Sequence, residues 1–244
     1  MHLLRAEQYV DLIPYRDSFI EYFPIIASVI SQAQNGHIFR KKESFAILSK
    51  FGFAYLLGAE NTNGNFLQNL LKTTAELFPV IRLYDPQMNI KNIESYDIFK
   101  TTRIKYVLPI YFCEDTSFPL FNVESEDLDY ENLFSLNLCS RFWNNCLDFR
   151  NESLGVISKD FSGICYAAAR TQKYLEVDVF VDENKRQCGY GKLLVKAFCK
   201  KAANIQLQPL WDCYANNFGS INLAKSIGFK ELFRYDFYTI KNKL

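Results

Sequence analysis

The chain has 244 residues, 49% hydrophobic and 23% charged, the balance of a packed globular protein with room for one large domain or two small ones. Its 22 Phe and 15 Tyr argue against long disordered spans, and a net charge of +1 gives no electrostatic case for nucleic acid or an anionic membrane as partner. No apolar run approaches the ~18 residues of a membrane span, and Arg5 and Glu7 come too early for a secretory signal, so a cytoplasmic protein without membrane contact is expected.

Residues 1–40 read as helical, with Phe19, Ile20, Phe23, Ile26 and Ile30 at roughly helical spacing and Pro24 at a helix start or kink. Phe45–Leu48 and Phe53–Leu57 flank Ser49-Lys50-Phe51-Gly52 as a hairpin. Asn65 caps a helix presenting Phe66, Leu67, Leu70, Leu71, Ala75 and Phe78. A strand at Val80–Tyr84, a helix over 89–99 and a strand over Arg103–Phe112 complete a small α/β unit. The acidic stretch Glu114–Asp129, broken by Pro119, marks a junction, giving domains 1–115 and 116–244.

The second half opens with a helix over Glu131–Asp148 and a hairpin, Leu154–Ser158 with Ile164–Ala169. The apolar strand Tyr174–Val181 then leads through Asp182-Glu183-Asn184-Lys185 into Arg186-Gln187-Cys188-Gly189-Tyr190-Gly191 and a helix from Lys192 to about Ala203. A strand at Gln208–Tyr214, a helix over 218–227 stopped by Gly228, and an alternating strand Glu231–Thr239 close the chain. Both halves follow the order hairpin, helix, strand, helix, strand, which suggests a tandem pair whose first half lacks the glycine turn.

Seven cysteines without CxxC spacing and only His2 and His37 give poor support to a metal site, and none is expected. Reduced thiols fit better, and the scarcity of His argues against His-dependent triads and His bases. A strand running through glycines into a helix is an anion-binding arrangement. The first amides of the helix lack intrahelical acceptors, and glycine lets a phosphate approach the backbone. A P-loop would need GxxxxGK[ST]; here Gly191-Lys192 is followed by Leu193 and the first position is Arg186. A dinucleotide fingerprint would need a third glycine where Leu194 stands.

The pattern that fits is Q/R-x-x-G-x-G/A, met by Arg186 through Gly191. A second landmark follows the next strand: Asn217, a helix, then Gly228-Phe229. Through these residues the chain resembles the GCN5-related N-acetyltransferase (GNAT) superfamily over roughly 120–244. Glu176-Val177-Asp178-Val179 and Pro209-Leu210-Trp211-Asp212-Cys213 further resemble the subfamily that includes the zwittermicin A self-resistance acetyltransferase. The resemblance implies an α/β GNAT fold in the second half, a mixed and mostly antiparallel sheet with a splayed strand pair flanked by helices. A smaller, degenerate GNAT-like α/β half precedes it.

It also implies an acetyl-CoA-dependent N-acetyltransferase. The pantetheine arm would pair with the strand edge at Val179, Phe180 and Val181. The pyrophosphate would sit on the backbone of Gln187, Cys188, Gly189, Tyr190, Gly191 and Lys192, with Arg186 shaping the loop and Lys192 adding charge. Asn217 would bond the arm or hold the strand–helix junction, and Ser220 would lie near the thiol end or cap its helix. The acceptor amine must lose a proton before it attacks the thioester, and the oxyanion that forms needs a backbone donor. Glu176 is the first candidate base, facing away from the apolar set on its strand, and Asp178 lies on the same face; Asp212, in an otherwise apolar strand, is the third candidate.

Many members place a Tyr acid seven residues after the Asn, and Ala224 stands there. The acceptor expected is a small-molecule amine. A non-catalytic acyl-CoA sensor and a protein acetyltransferase stand as alternatives, and a homodimer is left open.

Overall fold

An antiparallel set of strands, a helix and a returning parallel strand are laid down twice along this chain. The structure is a computed structural model that describes residues 1–58, 64–88, 90, 97–109, 120–122, 128–137, 140–143 and 145–241. It divides into two compact units, Met1–Ile104 with Phe233–Leu244, and Lys105–Leu232. The sequence reading set the boundary near residue 115 and kept the last strand with the second half; the structure turns at Ile104 and gives residues 233–244 to the first unit.

In the first unit, β1 (His2–Leu3), β2 (Gly36–Lys41), β3 (Ser44–Ser49) and β4 (Phe53–Leu57) pair antiparallel in succession. After α2 (Gly64–Thr74), β5 (Val80–Asp85) returns parallel to β4. The C-terminal β12 (Lys230–Lys241) pairs antiparallel with β5, from Asp236 opposite Asp85 to Lys241 opposite Val80. Helicity before β2 is limited to α1 (Pro24–Ile30) and 3-10 turns over Ala6–Tyr15 and Ile20–Tyr22. The expected helical spacing did mark the inward positions, since Ile20, Phe23, Ile26 and Ile30 are all in the core. Pro14 and Pro24 prevent one continuous helix, because neither can donate to the preceding turn. Pro24 starts α1, where its missing N–H is harmless.

In the second unit the strand order is β6-β11-β10-β9-β8-β7. β6 runs Asp97–Val107 and contributes its last residues here; β7 is Leu120–Asn122. Residues 97–99 are strand where a helix was expected, and the rest of that expected helix lies almost wholly outside the described residues. Among the described residues, the span 131–148 expected as one helix carries α3 (Tyr130–Ser135) and the start of α4 (Cys146–Glu152). Asn145 restarts the second by accepting from the Asp148 amide at 2.8 Å, the N-cap contact that an Asn favours over helix interior.

β8 (Gly155–Ser158), β9 (Gly163–Arg170) and β10 (Tyr174–Val181) form the antiparallel set. Next come α5 (Tyr190–Asn204), β11 (Gln208–Tyr214) and α6 (Phe218–Ile227). β11 returns parallel to β10, as β5 does to β4. α5 buries Leu194, Val195, Phe198, Cys199 and Ala202, one apolar face at helical spacing. The two units therefore share strand order and sense, the match expected of a tandem pair. Among the described residues no helix is long and apolar enough to cross a membrane.

Candidate functional site

The parallel pairing of β10 with β11 runs only through Tyr174–Gln208, Leu175–Pro209 and Glu176–Leu210. Both strands continue beyond it, β10 to Val181 and β11 to Tyr214, so the strands part at Glu176 and Leu210. The register of β10 against β9 also shifts between Glu176 and Val177. A bulge there bends the pair where the fork begins.

The turn after β10 is built to present backbone. Gln187 (φ 62°) and Gly189 (φ 85°) are both left-handed, with Cys188 between them, a conformation that gathers amides into a concavity. Arg186 braces it, donating from Nε to the Val181 carbonyl at 2.9 Å and from Nη1 to Glu183 at 3.3 Å. Gly189 is the N-cap of α5, and the first bond into that helix is Leu193 N–H to Gly189 O at 3.1 Å. The amides of Gly191 and Lys192 thus head the positive end of a 15-residue helix.

A groove of about 660 Å³ opens between the parted strands and this turn. Of the residues expected at the cofactor, Val179, Phe180, Val181, Arg186, Gln187, Gly189, Gly191, Lys192, Asn217 and Ser220 line it. Cys188 and Tyr190 are not in its wall, and the Cys188 side chain is exposed. Trp211, Gly219 and Leu223, which the sequence reading did not single out for the site, complete the lining. Asn217 accepts from the Ser220 amide at 3.1 Å, so its side chain caps α6. Ser220 Oγ in turn accepts from the Trp211 indole N–H at 3.0 Å.

Glu176 and Asp212 do not stand alone. Lys105 on β6 places Nζ 3.0 Å from each Glu176 oxygen and 2.7 Å from Asp212. The lysine side chain is 1% exposed and each carboxylate 7%, so the three form one buried cluster at the base of the fork. Two carboxylates thus share this one ammonium. Sequence reasoning missed Lys105, because a lysine within a strand is ordinarily a solvated residue.

The family model described as GNAT acetyltransferase matches residues 19–238. The chain belongs to that family. A protein of Streptococcus suis 89/1591, described as GCN5-related N-acetyltransferase-like, shares the fold at a TM-score of 0.68 and 18% identity over 97% of this chain and 99% of its own. A tandem GNAT protein from the clavulanic acid biosynthesis pathway matches at a TM-score of 0.54 and 11% identity, over 99% of this chain and 98% of its own. An uncharacterized N-acetyltransferase of Bacillus subtilis (strain 168), YdfB, is 22% identical over 122 residues. That match spans 49% of this chain and 47% of YdfB, so the chain accounts for about half the length of this relative.

Among the described residues, the fork of the first GNAT-like unit encloses far less space than that of the second. In the first, β4 and β5 pair through Phe53–Arg82, Ala54–Leu83 and Tyr55–Tyr84, and Tyr55 takes the position that Glu176 holds in the second. The Tyr55 hydroxyl donates to Asp17 at 2.9 and 2.8 Å, and burial together with Asp17 pushes its phenol far up. The cavity lined by Asp17, Tyr55, Tyr84, Asp85 and their neighbours is about 20 Å³, the room one water needs.

The Tyr that many GNAT members carry seven residues after the Asn is here Ala224, wholly buried; the groove side of α6 shows Ser220 and Leu223. Gly228 has φ 109° and closes α6, and buried Phe229 packs on Trp211 with ring centroids 5.5 Å apart. The Gly-Phe landmark is thus a helix stop and a wedge behind the groove wall.

Asp178 lies two residues beyond the start of the fork. It accepts from Tyr166 Oη at 2.8 Å, with Arg141 Nη1 at 3.7 Å and a side chain 20% exposed. Burial pushes its carboxyl up, against the opposing pull of Arg141 and Tyr166. A carboxyl raised in the folded state supports folding most below its unfolded value, and loses that support as pH rises through the folded value. Asp178→Asn, which keeps an oxygen for Tyr166, is therefore expected to be more stable than wild type at pH 7. The advantage shrinks toward pH 3, as urea unfolding at both pH values will read.

Proposed function

We propose that the second unit is an N-acetyltransferase that uses acetyl-CoA and acetylates an amine of a small molecule. Gly191 carries the reading. A Cβ there would meet Leu223 Cδ2 at 3.4 Å and Val181 Cγ2 at 3.7 Å, ordinary contacts, and its backbone is not left-handed. Nothing among the described residues requires a glycine at this position, whereas a phosphate lying against the helix end would. The site fits acetyl-CoA: a pyrophosphate on the amides of the turn, and a pantetheine arm along the free edge of Val179–Val181.

Acetyl-CoA supplies the thioester carbonyl. Arg186 keeps the turn in shape through Val181 and Glu183, and Lys192 adds a positive charge at the phosphate end. Asn217 sets the start of α6, and so the position of Ser220 on the groove wall. Glu176, at the base of the fork, takes the proton of the acceptor ammonium through a water at the opening. The two carboxylates of its cluster favour a cationic acceptor. The second reading, an acyl-CoA-binding module without catalysis, draws on the buried Ala224 in place of an acid. Thiol release from acetyl-CoA with a panel of small amines separates the two. Turnover reduced at least ~100-fold by Glu176→Gln supports the enzyme; no turnover with any amine, beside intact acetyl-CoA binding, supports the module.

A further inference from the structure

We propose, building on the reading of Glu176 as the base, that Lys105 and Asp212 are positioning residues that let Glu176 take up a proton without stranding a buried charge. Asp212 is then not a second base.

In an isolated buried Lys–Glu pair, protonating the Glu leaves an ammonium with no counter-charge in a low-dielectric site. Such a pair resists the proton, and its Glu makes a poor base. Here Lys105 Nζ stands 3.0 Å from Glu176 and 2.7 Å from Asp212, with 1% of the lysine side chain exposed. When a proton moves from the acceptor ammonium to Glu176, one N–H bond breaks and one O–H bond forms. The proton removes the charge of one of the two carboxylates, and Lys105 keeps Asp212 as an ion-pair partner. The third group therefore makes the proton step a neutralisation.

The placement follows from the strands. Glu176 is the last residue of β10 paired with β11, Asp212 lies two residues past its partner Leu210, and Lys105 comes from β6. Across β9 the residue opposite Glu176 is Ala169, which brings no charge. The next ionisable group along β10, Asp178, is held by Tyr166 and Arg141.

The test is a carboxyl-carbon NMR titration of the full chain, with the Glu176 resonance identified by its loss in Glu176→Gln. In Asp212→Asn, Lys105 keeps Glu176 and loses the second carboxylate of this trio. The Glu176 midpoint should fall by about one pH unit or more, and Asp212→Glu should return it toward wild type. A purely structural role for Asp212 would lower the unfolding midpoint and leave the Glu176 titration where it was. An unmoved midpoint in Asp212→Asn overturns the inference, and if acetylation is lost in Glu176→Gln, the base reading survives it. Full acetylation by Glu176→Gln would remove the base reading and this inference with it.

Discussion

Lys105→Met lowers stability by about 3–5 kcal/mol, the largest loss expected of any single substitution in the second unit. The substitution keeps the length of the side chain and removes its charge. What remains is two carboxylates, each 7% exposed, that shared one ammonium. Neither can move out into bulk solvent without opening the sheet, because Glu176 is paired with β9 on one side and β11 on the other and Asp212 sits in a strand flanked by buried Trp211 and Cys213. For a chain of this size the loss corresponds to roughly 10 °C in the unfolding midpoint. Most of that loss disappears when the whole cluster goes. A Lys105→Met, Glu176→Gln, Asp212→Asn triple variant leaves no buried charge behind and is expected to recover most of the lost stability. Differential scanning calorimetry of wild type, single and triple variants reads the prediction; a single variant within about 1 kcal/mol of wild type would mean that the cluster is hydrated and open.

Gly191→Glu produces the opposite pairing of effects. The fold loses nothing: its backbone there is not left-handed and the added Cβ meets ordinary contacts. Glu is the better helix former by about 0.5 kcal/mol or more, and a carboxylate in the first turn of α5 suits the helix dipole. The unliganded variant should unfold at or above the wild-type temperature. Its acetyl-CoA affinity should fall at least ~100-fold, because the side chain fills the place of a phosphate and brings a like charge to it, a penalty of about 3 kcal/mol or more. Gly191→Ala, with the methyl alone, should show a smaller loss. Gly189 is different, because its φ of 85° strains any side chain by about 1–2 kcal/mol whether or not a ligand is present. Thermal protection by acetyl-CoA, measured for each variant, distinguishes a ligand-driven glycine from a conformational one.

The parts of the fold that the sequence made legible are those governed by nearby residues. Gly189 and Gly228 both adopt left-handed backbone that few other residues tolerate, so the turn before α5 and the end of α6 were written into a handful of positions. The edge at Val179–Val181 was what the family resemblance implied for the end of one apolar strand. Lys105 was not legible, since its contact with Glu176 spans 71 residues of chain and its burial is a product of three strands meeting. The same holds for the C-terminal strand. Its alternation was plain, but alternation does not say which neighbour a strand pairs with, and Asp236–Lys241 pair with β5. At the N-terminus the apolar spacing was right and the backbone was not, because Pro14 and Pro24 break a helix that the pattern alone would continue.

The fork of the second unit is the proposed acetyl-CoA site. The most direct measurement is an isothermal calorimetric titration of the full chain with acetyl-CoA. A micromolar dissociation constant, about −8 kcal/mol, with one molecule bound per chain is the predicted result. One site is expected because the glycine turn and the 660 Å³ groove occur in the second unit, whereas the cavity at the first unit's fork holds about 20 Å³. Absence of binding by the folded protein, or one-site binding that Gly191→Glu leaves intact, would contradict it.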